Sequence, residues 1–160
     1  MINRQLYLEE SVKEIREFFF GFCVKKCEAE CCRIGYTMEV SVDEVKAIFE
    51  TRDIVKDKRV RKLYNDLYEI KLGPCPAVGR DKEGRYGCRI HSDLGRPKIC
   101  KDYPIFIERD KVIVAAGCYA VYSGEIDGQL DMLESSGFEV VGRQKRIKLR
   151  GIESWSAGYK

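Results

Sequence analysis

Eight cysteines in a chain of 160 residues place the strongest constraint on what this sequence can fold into. Four of them stand close together, in the pattern Cys23-x3-Cys27-x3-Cys31-Cys32, and the other four follow as Cys75, Cys88, Cys100 and Cys118. The first residues, MINRQLYLEE, reach two glutamates before any apolar stretch develops, which is unlike a secretion signal, so we expect a cytoplasmic protein. In a reducing compartment clustered thiols are more often metal ligands or redox centres than disulfides. The pattern therefore predicts a metal-binding protein.

The size and composition of the chain fit one domain over residues 1–160. Hydrophobic residues make up 44% of the chain, which is ordinary for a globular protein. No apolar run approaches the ~20 residues of a membrane span, so we expect no membrane contact. Charged residues reach 34% and amides are few, a composition typical of proteins from hot environments. Intracellular proteins of hyperthermophiles do carry disulfides, so disulfide pairing stays an alternative for these thiols.

The charge pattern does not favour a nucleic-acid-binding protein. The formal charge of +3 counts every thiol as neutral, and metal-bound thiolates would cancel this small excess. The tail 143–150 carries five basic residues and no acid, which could suit RNA or an acidic protein partner. Its alternation, with Ile147 and Leu149 on one face, favours a solvated edge strand instead.

The hydrophobic spacing predicts mainly helices in the first half of the chain. Apolar residues recur at steps of three and four over about 11–22 and again over about 54–70. A short strand is expected at 36–40. Ser41 and Glu44 form a capping-box pattern that predicts a helix over 42–50.

The second half of the chain is expected to be richer in short strands. Asp81 to Gly84 predicts a turn between two short extended pieces, and Arg96-Pro97 begins a helical turn that carries Cys100 and ends at Pro104. Residues 105–107 and 112–114 predict a β-hairpin, followed by a helix over about 125–135. The predicted fold class is α+β, with a helix-rich first half and short antiparallel strands in the second, organised around a cysteine metal site.

Three motifs give the chain a resemblance to a known family. They are the cluster ending in Cys31-Cys32, the dipeptide Cys75-Pro76, and the run Cys88-Arg89-Ile90-His91 with Arg96-Pro97-Lys98-Ile99-Cys100-Lys101-Asp102-Tyr103-Pro104. With these motifs the chain resembles the YkgJ-like cysteine-cluster family, described as zinc- or iron-chelating domains and as predicted iron–sulfur proteins. The resemblance covers residues 22–104.

The resemblance implies metal binding more directly than it implies a reaction. Relatives include stand-alone proteins and a domain within flagellin lysine methylases. In relatives the first cluster is often tighter, with two residues between cysteines and a glycine before the doublet. Here the gaps are three residues long, and Glu30 precedes Cys31.

All eight cysteines are predicted metal ligands: Cys23, Cys27, Cys31, Cys32, Cys75, Cys88, Cys100 and Cys118. An all-sulfur donor set suits iron–sulfur clusters or zinc, and disfavours calcium and magnesium. Structural zinc sites usually display Cys-x2-Cys pairs, which this chain lacks, so an iron–sulfur cluster is favoured and zinc is the alternative. Cys118, in an apolar strand, could instead be plain core. His91, the only histidine in the sequence, is expected to serve packing rather than ligation.

The basic residues near the thiols have two interpretations. They are Lys25, Lys26, Arg33, Arg89, Lys98 and Lys101. As neighbours of the thiols they would lower thiol pKa values; alternatively they are merely exposed.

The sequence leaves three functions open. The first is a protein that holds an iron–sulfur cluster or zinc through cysteine thiolates. The second is a cluster-dependent oxidoreductase or protein-modification enzyme, in which one ligand position opens to substrate. The third is a structural zinc module that presents its basic tail to a protein partner.

Overall fold

The computed structural model describes residues 3–50, 57–143, 147–149 and 152–154. The chain forms two compact units. One, which we call the cysteine unit, is Phe19–Asp102. The other, the discontinuous unit, combines Met1–Phe18 with Tyr103–Lys160. The prediction of a single domain over 1–160 stays a prediction.

The first helix, α1, is Arg4–Lys25 and contains the predicted helix 11–22. Its buried residues repeat at alternating steps of four and three: Leu8, Val12, Ile15, Phe19 and Phe22. That spacing places one apolar stripe along the helix, which is what stabilises it. Phe18, which the pattern also included, is 40% exposed, because it lies beside the stripe rather than on it.

A sharp break separates α1 from the short helix α2, Glu30–Ile34. Glu28 and Ala29 have φ values of 50° and 53°, in the left-handed region that L-residues seldom adopt. Because α1 ends at Lys25, only Cys23 of the first three cysteines lies on it, and Cys27 and Cys31 do not continue its face.

A three-stranded antiparallel sheet follows, in the order β1-β3-β2. Strand β1 is Tyr36–Ser41, β2 is Val60–Tyr64 and β3 is Leu67–Leu72. The predicted strand 36–40 is confirmed. The predicted helix over 54–70 is wrong from residue 57 onward, and residues 54–56 lie outside the described residues.

The error in residues 60–70 has a physical cause. Asn65 adopts a left-handed φ of 45°, which lets the chain reverse between β2 and β3. In β3 burial alternates, with Ile70 and Leu72 buried and Lys71 exposed, as expected for period two. The helical spacing over 60–67 concealed this alternation.

The helix α3, Val42–Phe49, confirms the predicted capping box. The Ser41 hydroxyl accepts from the Glu44 amide, and the Glu44 carboxylate accepts from the Ser41 amide. Val45 and Ile48 of this helix join Met38, Val40 and Ile70 of the sheet in one hydrophobic core.

The remaining elements of the cysteine unit are short. Strands β4, Val78–Arg80, and β5, Tyr86–Cys88, pair antiparallel around the predicted turn, where the Asp81 carboxylate accepts from the amides of Glu83 and Arg85. Helix α4, Lys98–Asp102, is the predicted helical turn that carries Cys100.

The discontinuous unit contains the predicted hairpin and a third strand. Strands β6, Ile105–Glu108, and β7, Lys111–Val114, pair antiparallel, and β8, Glu139–Val141, pairs parallel to β7. Helices α5, Tyr119–Tyr122, and α6, Asp127–Ser135, lie between β7 and β8 in the sequence. Within the tail, β9, Ile147–Leu149, pairs antiparallel with β10, Ile152–Ser154.

These elements confirm the α+β class and the helix-rich N-terminal part. They also add one parallel strand pair and the helix α5, which the sequence pattern did not predict. None of the helices in the described part of the chain has both the length and the apolar character needed to cross a membrane.

Gly35 offers a test of how tightly the cysteine doublet is joined to the sheet. Its φ is +94°, and a Cβ there would lie 1.8 Å from the Leu72 carbonyl oxygen. We expect Gly35→Ala to lower the free energy of unfolding by roughly 3 kcal/mol or more, through strain and backbone clash together. Gly84 is the matched control, because its φ is +80° but a Cβ would meet no atom within 4 Å. Gly84→Ala should lower the free energy of unfolding, measured by urea denaturation, by about 1 kcal/mol. An equal loss of unfolding free energy in the two variants would contradict the clash at Gly35.

Candidate metal centre

Seven of the eight predicted ligands lie in the cysteine unit, and Cys118 lies in the discontinuous unit. All eight are within the described residues and are present there as thiols. Cys118 is buried at the N-cap of α5. Its place among the ligands stays a prediction.

Four of the seven, which we call the inner thiols, share one hydrophobic core. They are Cys32, Cys75, Cys88 and Cys100. Each comes from a different segment of the chain: α2, the loop after β3, the end of β5 and α4. The core formed by the sheet and α3 therefore gathers cysteines that are up to 68 positions apart in the sequence.

Backbone hydrogen bonds fix the segments that carry the inner thiols. The Cys75 amide donates to the Cys32 carbonyl at 2.8 Å, which ties the loop after β3 to α2. The Arg89 amide donates to the Ala77 carbonyl at 2.8 Å, which ties the end of β5 to the same loop. These bonds fix the main-chain positions of the segments that carry Cys32, Cys75 and Cys88.

Backbone amides also point at the Cys75 sulfur. Burial, with the neighbouring Cys88 and Cys100, raises the pKa of the Cys75 thiol, and the amides of Ala77 and Val78 partly offset that rise. Amide donors directed at a sulfur favour the thiolate, which is the form that binds metal.

The same local arrangement recurs among the outer thiols, Cys23, Cys27 and Cys31. The Cys23 thiol, followed by the amides of Glu30 and Ala29, lowers the pKa of Cys27 to about 6, against the opposing effect of burial. The Cys27 thiol, just beyond the end of α1, also donates to the Cys23 carbonyl oxygen at 3.6 Å.

The doublet connects the outer and inner thiols. The Cys31 and Cys32 sulfurs lie 4.0 Å apart. Their contact lowers the pKa of Cys31 and raises that of Cys32, so the two would release protons in sequence rather than together.

Two residues near Cys100 were missed by the sequence analysis. The Tyr36 hydroxyl lies 3.5 Å from the Cys100 sulfur, and the tyrosine ring packs against the same core. Burial raises the pKa of Tyr36 well above its ordinary value. The alternation of β1 could have indicated Tyr36, because it shares a face with the buried residues Met38 and Val40.

Arg96 is the second missed residue. It donates to the Cys100 carbonyl at 2.5 Å and to the His91 carbonyl at 3.3 Å. Its Nε is buried and has no hydrogen-bond partner within the described part of the chain. Burial raises the pKa of Cys100, and the Arg96 charge together with the Tyr36 bond opposes that rise.

The basic residues named from the sequence have other contacts. Arg89 pairs with Glu50, Lys98 pairs with Asp102, and the Arg33 guanidinium lies over the Tyr86 ring. Lys101 donates to the Leu94 carbonyl, and Lys25 and Lys26 are exposed. The interpretation that they are mainly surface residues therefore fits better, and Arg96 supplies the charge near a thiol.

The described thiols are not arranged as a finished shell around one ion. No group of three or more His, Cys, Asp or Glu side chains within the described ranges has the spacing to hold a single metal ion.

His91 makes a packing contact. Its ring stacks on Phe20 with the centroids 3.8 Å apart and an angle of 22° between the planes. Burial, with a smaller effect of Arg96, lowers the pKa of His91 to about 4, so the ring is neutral at physiological pH.

Residues 22–119 match the family model "CxxCxxCC: Putative zinc- or iron-chelating domain". The chain belongs to this family. No curated protein and no solved structure matches the chain. The matched range exceeds the 22–104 of the sequence resemblance and includes all eight cysteines. The family's description has two residues in each gap between its first three cysteines, whereas this chain has three. The gap between Cys27 and Cys31 holds the left-handed pair Glu28 and Ala29.

Glu44 tests how Cys100 is positioned. One oxygen of its carboxylate caps α3, and the other accepts from the Lys98 amide at the start of α4, at 2.8 Å. We expect Glu44→Ala to lower the free energy of unfolding by about 2 kcal/mol, because it removes partners from both helices. The control Asp43→Ala loses an exposed ion pair with Lys46 and should cost about 0.5 kcal/mol or less. If guanidinium denaturation gave equal losses of unfolding free energy for Glu44→Ala and Asp43→Ala, the bond to α4 would contribute nothing.

His91 tests whether the imidazole is needed for more than packing. We expect His91→Phe to keep the stack and change stability by less than about 0.5 kcal/mol, whereas His91→Ala should lose about 1 kcal/mol. Bound metal per chain, measured by elemental analysis, should be the same in both variants and in the unaltered protein. Loss of metal in His91→Phe would make the imidazole a ligand.

Proposed function

We propose that this protein holds an iron–sulfur cluster through its cysteine thiolates and has a redox role. Membership in a family of zinc- or iron-chelating domains rests on the family match. The iron–sulfur proposal rests on the convergence of four cysteines from four separate segments on one buried core.

The donor set fits such a cluster. The residues gathered on the core offer sulfur, and soft thiolates select zinc, iron–sulfur clusters or copper(I) over calcium and magnesium. The Cys23 thiol and the amides of Glu30 and Ala29 lower the pKa of Cys27 and so favour its thiolate. At Cys75 the amides only partly offset the rise in pKa that burial causes. The buried Arg96 Nε, which lacks a partner in the described residues, offers a donor to a negatively charged centre.

The spacing of the thiols favours a cluster over a single zinc ion. Zinc needs its four sulfurs about 2.3 Å from one point. Structural zinc sites usually display Cys-x2-Cys pairs, and the sequence contains none. A cluster of several iron atoms presents separate attachment points, so it accepts ligands that lie further apart.

All eight cysteines are ligands in this proposal. The inner thiols Cys32, Cys75, Cys88 and Cys100 would hold the cluster, and Cys23, Cys27, Cys31 and Cys118 are proposed as the remaining ligands. The hydrophobic core around Cys75 limits access of water to the sulfurs. When bound, the cluster supplies one-electron transfer. A redox role also requires a partner that gives or takes electrons, and we propose a protein partner.

Metal analysis of anaerobically prepared protein tests the proposal. We expect a brown protein with broad visible absorption, with iron and acid-labile sulfide both bound. Cys75→Ser should abolish most of that absorption, because a serine hydroxyl is a poor ligand for this centre. Removing the iron with a chelator should also lower the melting temperature, since a ligand that binds the native state stabilises it.

Ala77→Ser is the matched control for Cys75→Ser. Ala77 is 1% exposed and lies in the same loop, so the variant puts a serine into the same core while keeping every thiol. It should retain its iron even if its stability falls. A colourless protein with stoichiometric zinc would reject the iron–sulfur proposal and favour the structural zinc module.

A further inference from the structure

We propose that Tyr36 tunes the metal centre by donating a hydrogen bond from its hydroxyl to the Cys100 thiolate. This inference rests on the proposed function, because it requires Cys100 to be a ligand. It assigns to Tyr36 a role as a positioning residue that acts through Cys100, and it would apply to bound iron or bound zinc.

The geometry supplies the first argument. The Tyr36 oxygen and the Cys100 sulfur are 3.5 Å apart, within the range of an O–H···S hydrogen bond. A thiolate bound to metal has no proton, so in that state the phenol must be the donor. The hydrogen bond then acts on sulfur electron density directly rather than through the fold.

The position of Tyr36 supplies the second argument. Tyr36 begins β1, and its backbone is paired with Leu72 at the end of β3. Gly35, immediately before it, passes so close to the Leu72 carbonyl that no side chain fits there. The phenol is therefore anchored by the sheet on one side and by the core on the other, which fixes the place of its oxygen beside the Cys100 sulfur.

The surroundings of Cys100 supply the third argument. Its thiol packs against the apolar core with Tyr36, where a hydrogen bond to a charged sulfur is stronger than in water. Hydrogen bonds to cluster sulfurs are one of the protein's means of setting a reduction potential. Such a bond stabilises the more negative, reduced state, so it raises the potential.

The test compares reduction potentials of the reconstituted, iron-loaded protein. We expect Tyr36→Phe to keep its iron and sulfide content but to shift the potential to more negative values, corresponding to a roughly tenfold change in the oxidised-to-reduced equilibrium. Tyr68→Phe is the matched control. Tyr68 packs against the same core, and its hydroxyl makes no bond to a cysteine in the described part of the chain, so the potential should not move.

A second variant keeps the test decisive if Tyr36→Phe folds poorly. Tyr36→3-fluorotyrosine preserves the shape of the ring and makes the phenol a stronger donor. It should shift the potential in the opposite direction from Tyr36→Phe, a result that a purely structural role would not produce. Unchanged potentials in an iron-loaded fluorotyrosine variant would overturn the inference.

The release of metal to a chelator separates this inference from the proposed function. If the native protein holds zinc and no iron, the iron–sulfur proposal fails, but zinc should still leave Tyr36→Phe about tenfold faster than it leaves the native protein or Tyr68→Phe. If iron is present and neither the potential nor the release rate depends on Tyr36, the inference fails while the proposed function stands.

Discussion

The hydrophobic core of the cysteine unit is the constraint on which its chemistry depends. Sheet residues such as Met38 and Ile70 bury together with Val45 and Ile48 of α3, and this burial fixes the places where the surrounding loops can run. Four of those loops and short helices carry a cysteine. The four inner thiols therefore lie against one core because its apolar side chains exclude water.

Glu44 shows how local and long-range order are combined here. A capping box is a local device that sets where one helix begins. In this chain the same carboxylate also caps α4, the helix that carries Cys100, 56 positions later in the sequence. Glu44 thus links the start of α3 to the position of Cys100. The sequence of α3 alone does not predict this link.

The sequence predicted features that short-range physics determines. The capping box at Ser41, the hairpin of 105–114 and the turn at Asp81 all follow from residues within a few positions of one another. The segment 60–70 was assigned to a helix because its apolar residues fit both periods, and only pairing with β1 resolves the ambiguity in favour of a strand. Tyr36 and Arg96 were missed for a related reason, since their significance lies in contacts with Cys100 that arise from tertiary packing.

Because the discontinuous unit is split in the sequence, the two units are completed at different times during synthesis. A ribosome delivers Phe19–Asp102 in full before the segments from Tyr103 onward emerge, and domains generally fold as units as they become complete. The unit that holds seven thiols is thus ready to fold while its companion still lacks all five of its described strands. Cys118, in the discontinuous unit, is translated only after all seven of those thiols.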